Sequence, residues 1–252
     1  MNSTLFCVDA FTEEPGSGNP AGVCMLSRPA DLSWMQAVAR EMNLPETAFL
    51  VPEHDGFGLR WFTPRVEVEL CGHATLASAH ALWQQGYLGA GERARFFTKS
   101  GTLTAELNGD WIAMDFPEEP DQPAPAPPGL VEALGIRPRY VGKNRFDYVV
   151  EIGSEREVRE IQPDFRRLTE VPARGIMVTA PADPGEFDFV GRFLPPAAGV
   201  DEDPVTGSAH CCLGPFWEKR LHKNEFLAHQ VSERGGVLRV RTGGNQRVMI
   251  CG

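Results

Sequence analysis

Two short segments of this chain combine a glycine with polar neighbours at the predicted start of a helix. Residues 71–73 read Cys-Gly-His and residues 206–208 read Thr-Gly-Ser, and a run of small or apolar residues follows each of them. Because the first N–H groups of a helix have no partner inside the helix, such a start can bind an anion. We expect the two halves of the chain to face each other, so that one cleft receives both helix starts and binds a small carboxylate.

Glu46 is the candidate proton carrier. It lies in residues 43–51, Asn-Leu-Pro-Glu-Thr-Ala-Phe-Leu-Val, where the apolar neighbours predict that its carboxylate is partly buried. A carboxyl group that has lost part of its hydration is a usable proton shuttle near neutral pH. The same segment also fits a structural interpretation, in which Glu46 is a surface side chain after a helix end.

Further polar side chains stand near the two glycines. Asp203 precedes the second glycine, while His73 and Ser208 each follow their glycine by one residue. These groups could contact a substrate, and Asn19, in a glycine-rich turn, could line the same cleft. Each also has a structural interpretation, since acids near a helix start commonly offset the helix dipole and a histidine there commonly caps or packs. The sequence contains no dinucleotide-binding or metal-binding spacing, so we predict no cofactor and no metal.

The cysteines of the chain leave a second chemistry open. They form no Cys-x-x-Cys pair, which predicts free thiols, and they are Cys7, Cys24, Cys71, Cys211, Cys212 and Cys251. Cys71 differs from the rest because a helix start stabilises a thiolate. A racemase or epimerase of amino or hydroxy acids that uses Cys71 is therefore one alternative function. A non-catalytic small-molecule binder is another.

Composition restricts the class of protein. The chain has 252 residues, 42% of them hydrophobic, which is enough to bury a sizeable core. A formal net charge of −10 argues against nucleic acid or an acidic membrane surface as a partner. No run of about 18 apolar residues predicts a membrane-spanning helix. The first residues lack the pattern of a signal peptide, so we predict a cytoplasmic protein.

The predicted elements favour an α+β fold with a mostly antiparallel sheet. Strands outnumber helices, and hairpins join many of them. Helical spacing predicts a helix over residues 32–42, and strict alternation predicts a strand over residues 65–70 with its valines and leucine on one face and its glutamates on the other. Residues 74–82 are small or apolar nearly all round, which predicts a helix buried on all sides. The matching helix after Gly207 contains Pro215, which we expect to bend it or end it early.

A proline-rich stretch divides the chain near its middle. Residues 117–128 contain six prolines, which predicts an extended, semi-rigid connector. We therefore expect an N-terminal domain over residues 1–116 and a C-terminal domain over residues 129–252.

Six motifs in order resemble the phenazine biosynthesis isomerase-like (PhzF-like) family. They extend over essentially the whole chain and are Val8–Thr12, Gly18–Val23, Asn43–Phe49, Trp61–Pro64, Glu69–Thr75 and Glu202–Ala209. The resemblance implies the diaminopimelate epimerase-like fold, in which two pseudo-symmetric domains each wrap a mostly antiparallel β-barrel around a central helix. It also implies an active site between the domains and a homodimer.

The resemblance further implies a cofactor-independent isomerase that moves a proton between carbons of a small carboxylate-bearing metabolite. The acid/base glutamate of the family matches Glu46, and its other active-site residues match His73, Asp203 and Ser208. The backbone at Gly72 and Gly207 would hold the substrate carboxylate, with Thr206 beside the second glycine. Epimerases of this fold use two cysteines, and Thr206 stands where the second would be, which disfavours a two-thiol racemase. Related chains usually continue with one more strand, so we expect an unpaired sheet edge near the end of this chain.

Overall fold

A computed structural model describes residues 3–252 and divides the chain into two units. The first unit comprises the residues up to Asp115 together with Cys251–Gly252, and the second is Phe116–Ile250. Each unit has its own core and its own long helix. Among the described residues, no helix combines the length and the apolar character that crossing a membrane requires.

The first unit contains eight strands and two helices. In chain order they are β1 (Thr4–Ala10), β2 (Asn19–Met25), α1 (Leu32–Met42), β3 (Glu46–Glu53), β4 (Gly56–Phe62), β5 (Glu67–Val68), α2 (Gly72–Gln84), β6 (Ala94–Thr98), β7 (Gly101–Asn108) and β8 (Trp111–Pro117). Most neighbouring strands are antiparallel, as predicted. The parallel pairs are β2–β3 and β4–β6, and a helix connects each of them because a parallel connection must cross back over the sheet.

The second unit repeats this plan. Its elements are β9 (Gln122–Pro123), α3 (Leu130–Leu134), β10 (Tyr140–Lys143), β11 (Tyr148–Glu151), α4 (Glu155–Glu160), α5 (Phe165–Leu168), β12 (Ile176–Pro181), β13 (Phe189–Leu194), a 3-10 turn (Pro196–Ala198), α6 (Gly207–Leu221), β14 (Glu225–Gln230), β15 (Gly236–Thr242) and β16 (Arg247–Cys251). Its parallel pairs are β11–β12, joined through α4 and α5, and β13–β14, joined through α6. The predicted mostly antiparallel, pseudo-symmetric fold is therefore confirmed.

The helix α2 is the centre of the first unit. Its residues from His73 to Ala79 are all buried, and it packs on β1, β2 and β3. Alanine and serine side chains allow the strands to approach closely. The buried hydroxyls of Thr75 and Ser78 donate to the carbonyls of Cys71 and Ala74, at 2.6 and 2.7 Å, so neither is left unpaired. The prediction of a helix buried on all sides over residues 74–82 is confirmed except at His80, which is exposed.

The helix α6 contradicts the prediction that Pro215 ends it early. It continues from Gly207 to Leu221 with Pro215 inside it. A proline cannot donate to the carbonyl four residues earlier, here that of Cys211. That carbonyl instead accepts the backbone N–H of Glu119 at 3.0 Å. The replacement bond offsets part of the cost of the proline, so the helix persists.

The segment 65–70 also differs from its prediction. Only Glu67–Val68 forms a strand, and Val66 and Leu70 are exposed. Glu67 instead lies partly buried and accepts two bonds from Arg60, at 2.8 and 2.9 Å. Alternation predicted a longer strand than the structure contains, and the ion pair with Arg60 explains why Glu67 is not exposed.

The proline-rich stretch belongs to the second unit and does not run free. It contains β9, and the Ala124 N–H donates to the carbonyl of Val141 at 3.1 Å. At the other end of the second unit, the chain returns to the first, where Gly252 exchanges two backbone hydrogen bonds with Ile112, at 2.9 and 3.1 Å. The last strand is thus paired on both sides, and the expected unpaired edge beside a further strand stays a prediction.

Candidate functional site

In the first unit, Glu46 and His73 meet although 26 residues separate them in the chain. Glu46 is the first residue of β3 and His73 the second residue of α2. The Oε2 atom of Glu46 lies 3.2 Å from Nε2 of His73, and the two side chains are 19% and 9% exposed. Nε2 is buried and is not in hydrogen-bond alignment with any partner, so the contact is an ion-pair approach. The predicted partial burial of the Glu46 carboxylate is confirmed.

Cys71 approaches the other ring nitrogen of His73. Its Sγ atom lies 3.6 Å from Nδ1, so thiol, imidazole and carboxylate form one continuous row. Burial raises the pKa of the Cys71 thiol, and the negative charge of Glu46 adds to this. Burial alone would lower the pKa of His73, but Cys71 and Glu46 outweigh it and hold that pKa well above its ordinary value. Both shifts favour the protonated form, and the shift of His73 depends on the negative charge of its two neighbours.

These three side chains are the group of described residues that comes closest to a metal-binding cluster. Their ligand atoms all lie within 4.8 Å of one another. His73, however, presents Nδ1 to Cys71 and Nε2 to Glu46. A single ion bound by all three side chains would require Cys71 or Glu46 to move to the opposite side of the His73 ring. The arrangement fits proton exchange along the row better than metal ligation.

Asn19 and Gly72 lie close to this row in the fold. Asn19 begins β2 and is fully buried, and β2 pairs in parallel with β3, with Ala21 opposite Glu46. Asn19 and Glu46 are thus at the same end of neighbouring strands. Gly72 is the first residue of α2, and the Cys71 side chain before it makes no capping hydrogen bond. The first N–H groups of α2 therefore keep the capacity to bind an anion.

In the second unit, Asp203 and Thr206 are bonded to each other ahead of α6. The Thr206 hydroxyl donates to Oδ2 of Asp203, and the Asp203 N–H donates to the carbonyl of Phe193 at 3.0 Å. Thr206 is the N-cap residue of α6, yet its side chain makes no capping bond to the helix. As in α2, the first N–H groups of the helix are not capped by the preceding side chain.

The other sequence candidates of the second unit lie in the first turn of α6. Gly207 is its first residue and is buried, and Ser208, the second, is exposed. That both glycine starts serve one substrate stays a prediction. The acids before the helix have separate roles, because Glu202 forms a two-bond ion pair with Arg192, at 2.7 Å for both bonds, and so anchors the segment that leads to Asp203.

Sequence reasoning missed two buried residues of this region, Gln230 and His210. The Gln230 side chain bonds to both Asp203 and Thr206. The Nδ1 atom of His210 lies 2.9 Å from the carbonyl oxygen of Thr206, and burial lowers the pKa of His210 to about 4. The signal for Gln230 was an amide at a position where alternation with Phe226 and Ala228 predicts an inward-facing side chain.

Comparison with known proteins places the chain in a family. The family model described as "Phenazine biosynthesis-like protein" matches residues 8–133 and 136–252. An uncharacterized isomerase of Halalkalibacterium halodurans is 54% identical over 253 residues, covering 100% of this chain and 95% of that protein. The crystal structure of a PhzF-family phenazine biosynthesis protein from Enterococcus faecalis is 40% identical, covers 100% of this chain and 95% of that one, and superposes with a TM-score of 0.95.

A more distant structure extends the fold relationship. A predicted epimerase from Pseudomonas aeruginosa shares 21% identity, covers 98% of this chain and 94% of that one, and superposes with a TM-score of 0.74. The chain belongs to the phenazine biosynthesis-like (PhzF-like) family, with the diaminopimelate epimerase-like fold that the motifs implied. It is an enzyme of the isomerase class.

Proposed function

We propose that this protein moves a proton from one carbon to another in a small carboxylate-bearing metabolite, without a cofactor. Glu46 is the acid/base group: its carboxylate takes a proton from an activated carbon and returns it to a different carbon. Atoms balance because the proton that leaves the substrate is the proton that the product regains. The uncapped N–H groups at the start of α2, beside Gly72, hold a substrate carboxylate.

The remaining residues bind and orient in this proposal. The imidazolium of His73 lies against Glu46 and stabilises negative charge that develops on the substrate when the proton leaves. Asp203 binds a polar group of the substrate, and Ser208 and the backbone at Gly207 contact its carboxylate. The family resemblance supports these last assignments, and the hydrogen bonds of Asp203 and Thr206 support a fixed carboxylate at that place.

One observation carries the proposal, namely the Glu46–His73 pair at 3.2 Å beside an uncapped helix start. If Glu46 served only to anchor β3, its carboxylate could lie in solvent. It is instead partly buried next to the imidazole of His73. Removing one partner of a buried ion pair commonly lowers the free energy of unfolding by several kcal/mol. The position of this pair, at a strand end beside a helix start, supports a role in chemistry.

The test is a solvent-deuterium exchange screen. Cyclic and aromatic amino acids and hydroxy acids are incubated with the enzyme in D₂O, and deuterium incorporation and isomer formation are followed by NMR and mass spectrometry. We expect the wild-type enzyme to form an isomer and Glu46→Gln to form none. The control variant Glu53→Gln, in the same strand, should remain active. Full activity of Glu46→Gln on a substrate found in this way would refute the mechanism. Binding with neither exchange nor isomer formation would instead indicate a non-catalytic binder.

The second candidate function is an epimerase in which Cys71 carries the proton. The contact of 3.6 Å between Cys71 and His73 favours it, because His73 could remove the thiol proton. The raised pKa of Cys71 favours a neutral thiol and opposes it. Exchange that requires Cys71 and not Glu46 would establish this alternative.

We also expect a homodimer and a cytoplasmic location. The family resemblance supports the homodimer, and the cytoplasmic location stays a prediction. Light scattering and cell fractionation, respectively, test these two predictions.

A further inference from the structure

Gln230 is a buried amide with no place in the function proposed above. It ends β14 and is 1% exposed. A buried side-chain amide is costly unless its donors and acceptor are bonded. All of its side-chain bonds run to the segment ahead of α6, although 24 residues separate it from Thr206 along the chain.

The hydrogen-bond partners fix the orientation of this amide. The atom 2.9 Å from the Thr206 N–H must be the oxygen, because a backbone N–H can only donate. The atom 2.8 Å from the Asp203 carbonyl must be the nitrogen, because a carbonyl can only accept. Two independent constraints thus agree on the orientation of the amide.

The orientation of the amide sets the direction of a further bond. With its first hydrogen on the Asp203 carbonyl, the amide nitrogen directs its second toward the Thr206 hydroxyl oxygen, 3.2 Å away. That hydroxyl then has an acceptor role toward Gln230, so its own hydrogen goes to Oδ2 of Asp203. The three side chains form one directed row from amide through hydroxyl to carboxylate.

We propose that Gln230 is the positioning residue of the enzyme's second unit: through Thr206 it orients the Asp203 carboxylate, whose Oδ2 accepts the bond from the Thr206 hydroxyl. The same amide ties the Thr206 N–H to the Asp203 carbonyl, which fixes the turn that begins α6. That Gln230 contributes to turnover rests on the proposed role of Asp203. The row of hydrogen bonds from Gln230 through Thr206 to Asp203 does not depend on that role.

Other charges act on the same carboxylate. The guanidinium of Arg174 interacts with Asp203 and is itself held by two bonds to the buried carboxylate of Asp147. Glu202, the neighbour of Asp203, is neutralised by Arg192. Because neither ion pair involves Gln230 or Thr206, variants at those two positions leave the charged surroundings of Asp203 unchanged.

The test follows the carboxyl titration of Asp203 directly and needs no substrate. Protein labelled with ¹³C-aspartate is titrated by NMR, and Asp203→Asn assigns the signal. Losing a hydrogen bond to a charged group should move the Asp203 midpoint upward by about one pH unit in Gln230→Met and in Thr206→Val. Thr206→Ser, which keeps the hydroxyl, should leave the midpoint in place. The double variant Gln230→Met/Thr206→Val should shift it no further than either single variant.

The outcomes separate this inference from the proposed function. An unchanged midpoint in folded Gln230→Met, or additive shifts in the double variant, would overturn the row. If Gln230→Met does not fold, Thr206→Val carries the test, and an unmoved midpoint there has the same meaning. Once a substrate is known, Gln230→Met should lower kcat about tenfold with KM nearly constant and Thr206→Ser should not. Equal kcat in a variant with a shifted midpoint would refute the role of Asp203 and leave the hydrogen-bond row standing.

Discussion

The starts of α2 and α6 are equivalent places in two units of one topology, and they carry different chemistry. Both helices begin on a glycine whose preceding side chain does not cap the helix. Three residues after each glycine, a buried polar side chain contacts the carbonyl of the N-cap residue, Thr75 in α2 at 2.6 Å and His210 in α6 at 2.9 Å. Both units therefore contain the same backbone arrangement, a helix that begins on a glycine and has no side-chain cap.

The side chains around the two helix starts differ in their chemistry. The first unit begins β3 on Glu46 and follows its glycine with His73, so it holds groups that can exchange a proton. The second begins β12 on Ile176 and follows its glycine with Ser208, so it holds hydrogen-bonding groups. The difference is therefore that the first unit has an uncapped helix start beside a carboxylate and an imidazole, whereas the second has one beside hydrogen-bonding side chains.

The largest effect that would break this comparison is expected for Glu46→Gln. A positioned acid/base group typically contributes about 10²–10⁴-fold, so turnover should fall by that factor while substrate binding changes little. Steady-state kinetics on the substrate from the exchange screen measure both. Glu53→Gln, at the exposed end of the same strand, is the matched control and should keep full turnover. A loss below threefold in Glu46→Gln would place the proton carrier elsewhere.

The next effect concerns the buried histidine of α6. Burial lowers the pKa of His210 to about 4, whereas the unfolded chain titrates near 6.5. The stabilisation is therefore complete above about pH 6.5 and is lost as the pH falls toward 4, by about 3 kcal/mol. Urea unfolding across this range measures it. His210→Phe should remove this part of the acid slope, and an unchanged slope would contradict a neutral buried His210.

The contribution of His73 to stability should depend on pH in the opposite direction from that of His210. Burial opposes its charge, but Cys71 and Glu46 raise its pKa well above the ordinary value, so its stabilisation is complete below about pH 6.5. It is lost as the pH rises through the raised pKa, because the imidazole then loses the charge that attracts Glu46. NMR titration of the ring should show the high midpoint, and Glu46→Gln should lower it. Equal midpoints in both proteins would refute the pairing.

The smallest effect is expected for Cys71→Ser. If Glu46 carries the proton in both directions, a hydroxyl beside His73 replaces the thiol with a change in turnover below about threefold. Steady-state kinetics beside wild type decide this, and Cys7→Ser serves as the control for an exposed thiol. A loss comparable to that of Glu46→Gln would make Cys71 the proton carrier and favour the epimerase alternative.

Much of the architecture followed from local patterns. The helix over residues 32–42 appears with the predicted ends, and the hairpin of β7 and β8 and the buried α2 appear where alternation and small residues indicated. The failures have a common physical cause. At Pro215 a hydrogen bond from Glu119, nearly 100 residues away, overrides a local helix breaker, and at Glu67 an ion pair with Arg60 keeps the side chain from being exposed. Neither partner is visible in a local window.

The sequence by itself determined the two glycine starts, the strand and helix types and the family motifs, because each depends on residues that are neighbours in the chain. It also singled out Glu46, His73, Asp203 and Ser208 as candidates. Only the tertiary structure decided what these groups contact: that Glu46 reaches His73, and that Gln230 holds the Asp203–Thr206 turn. Hydrogen bonds and ion pairs act over a few ångströms of space, and folding alone brings distant parts of a chain within that range.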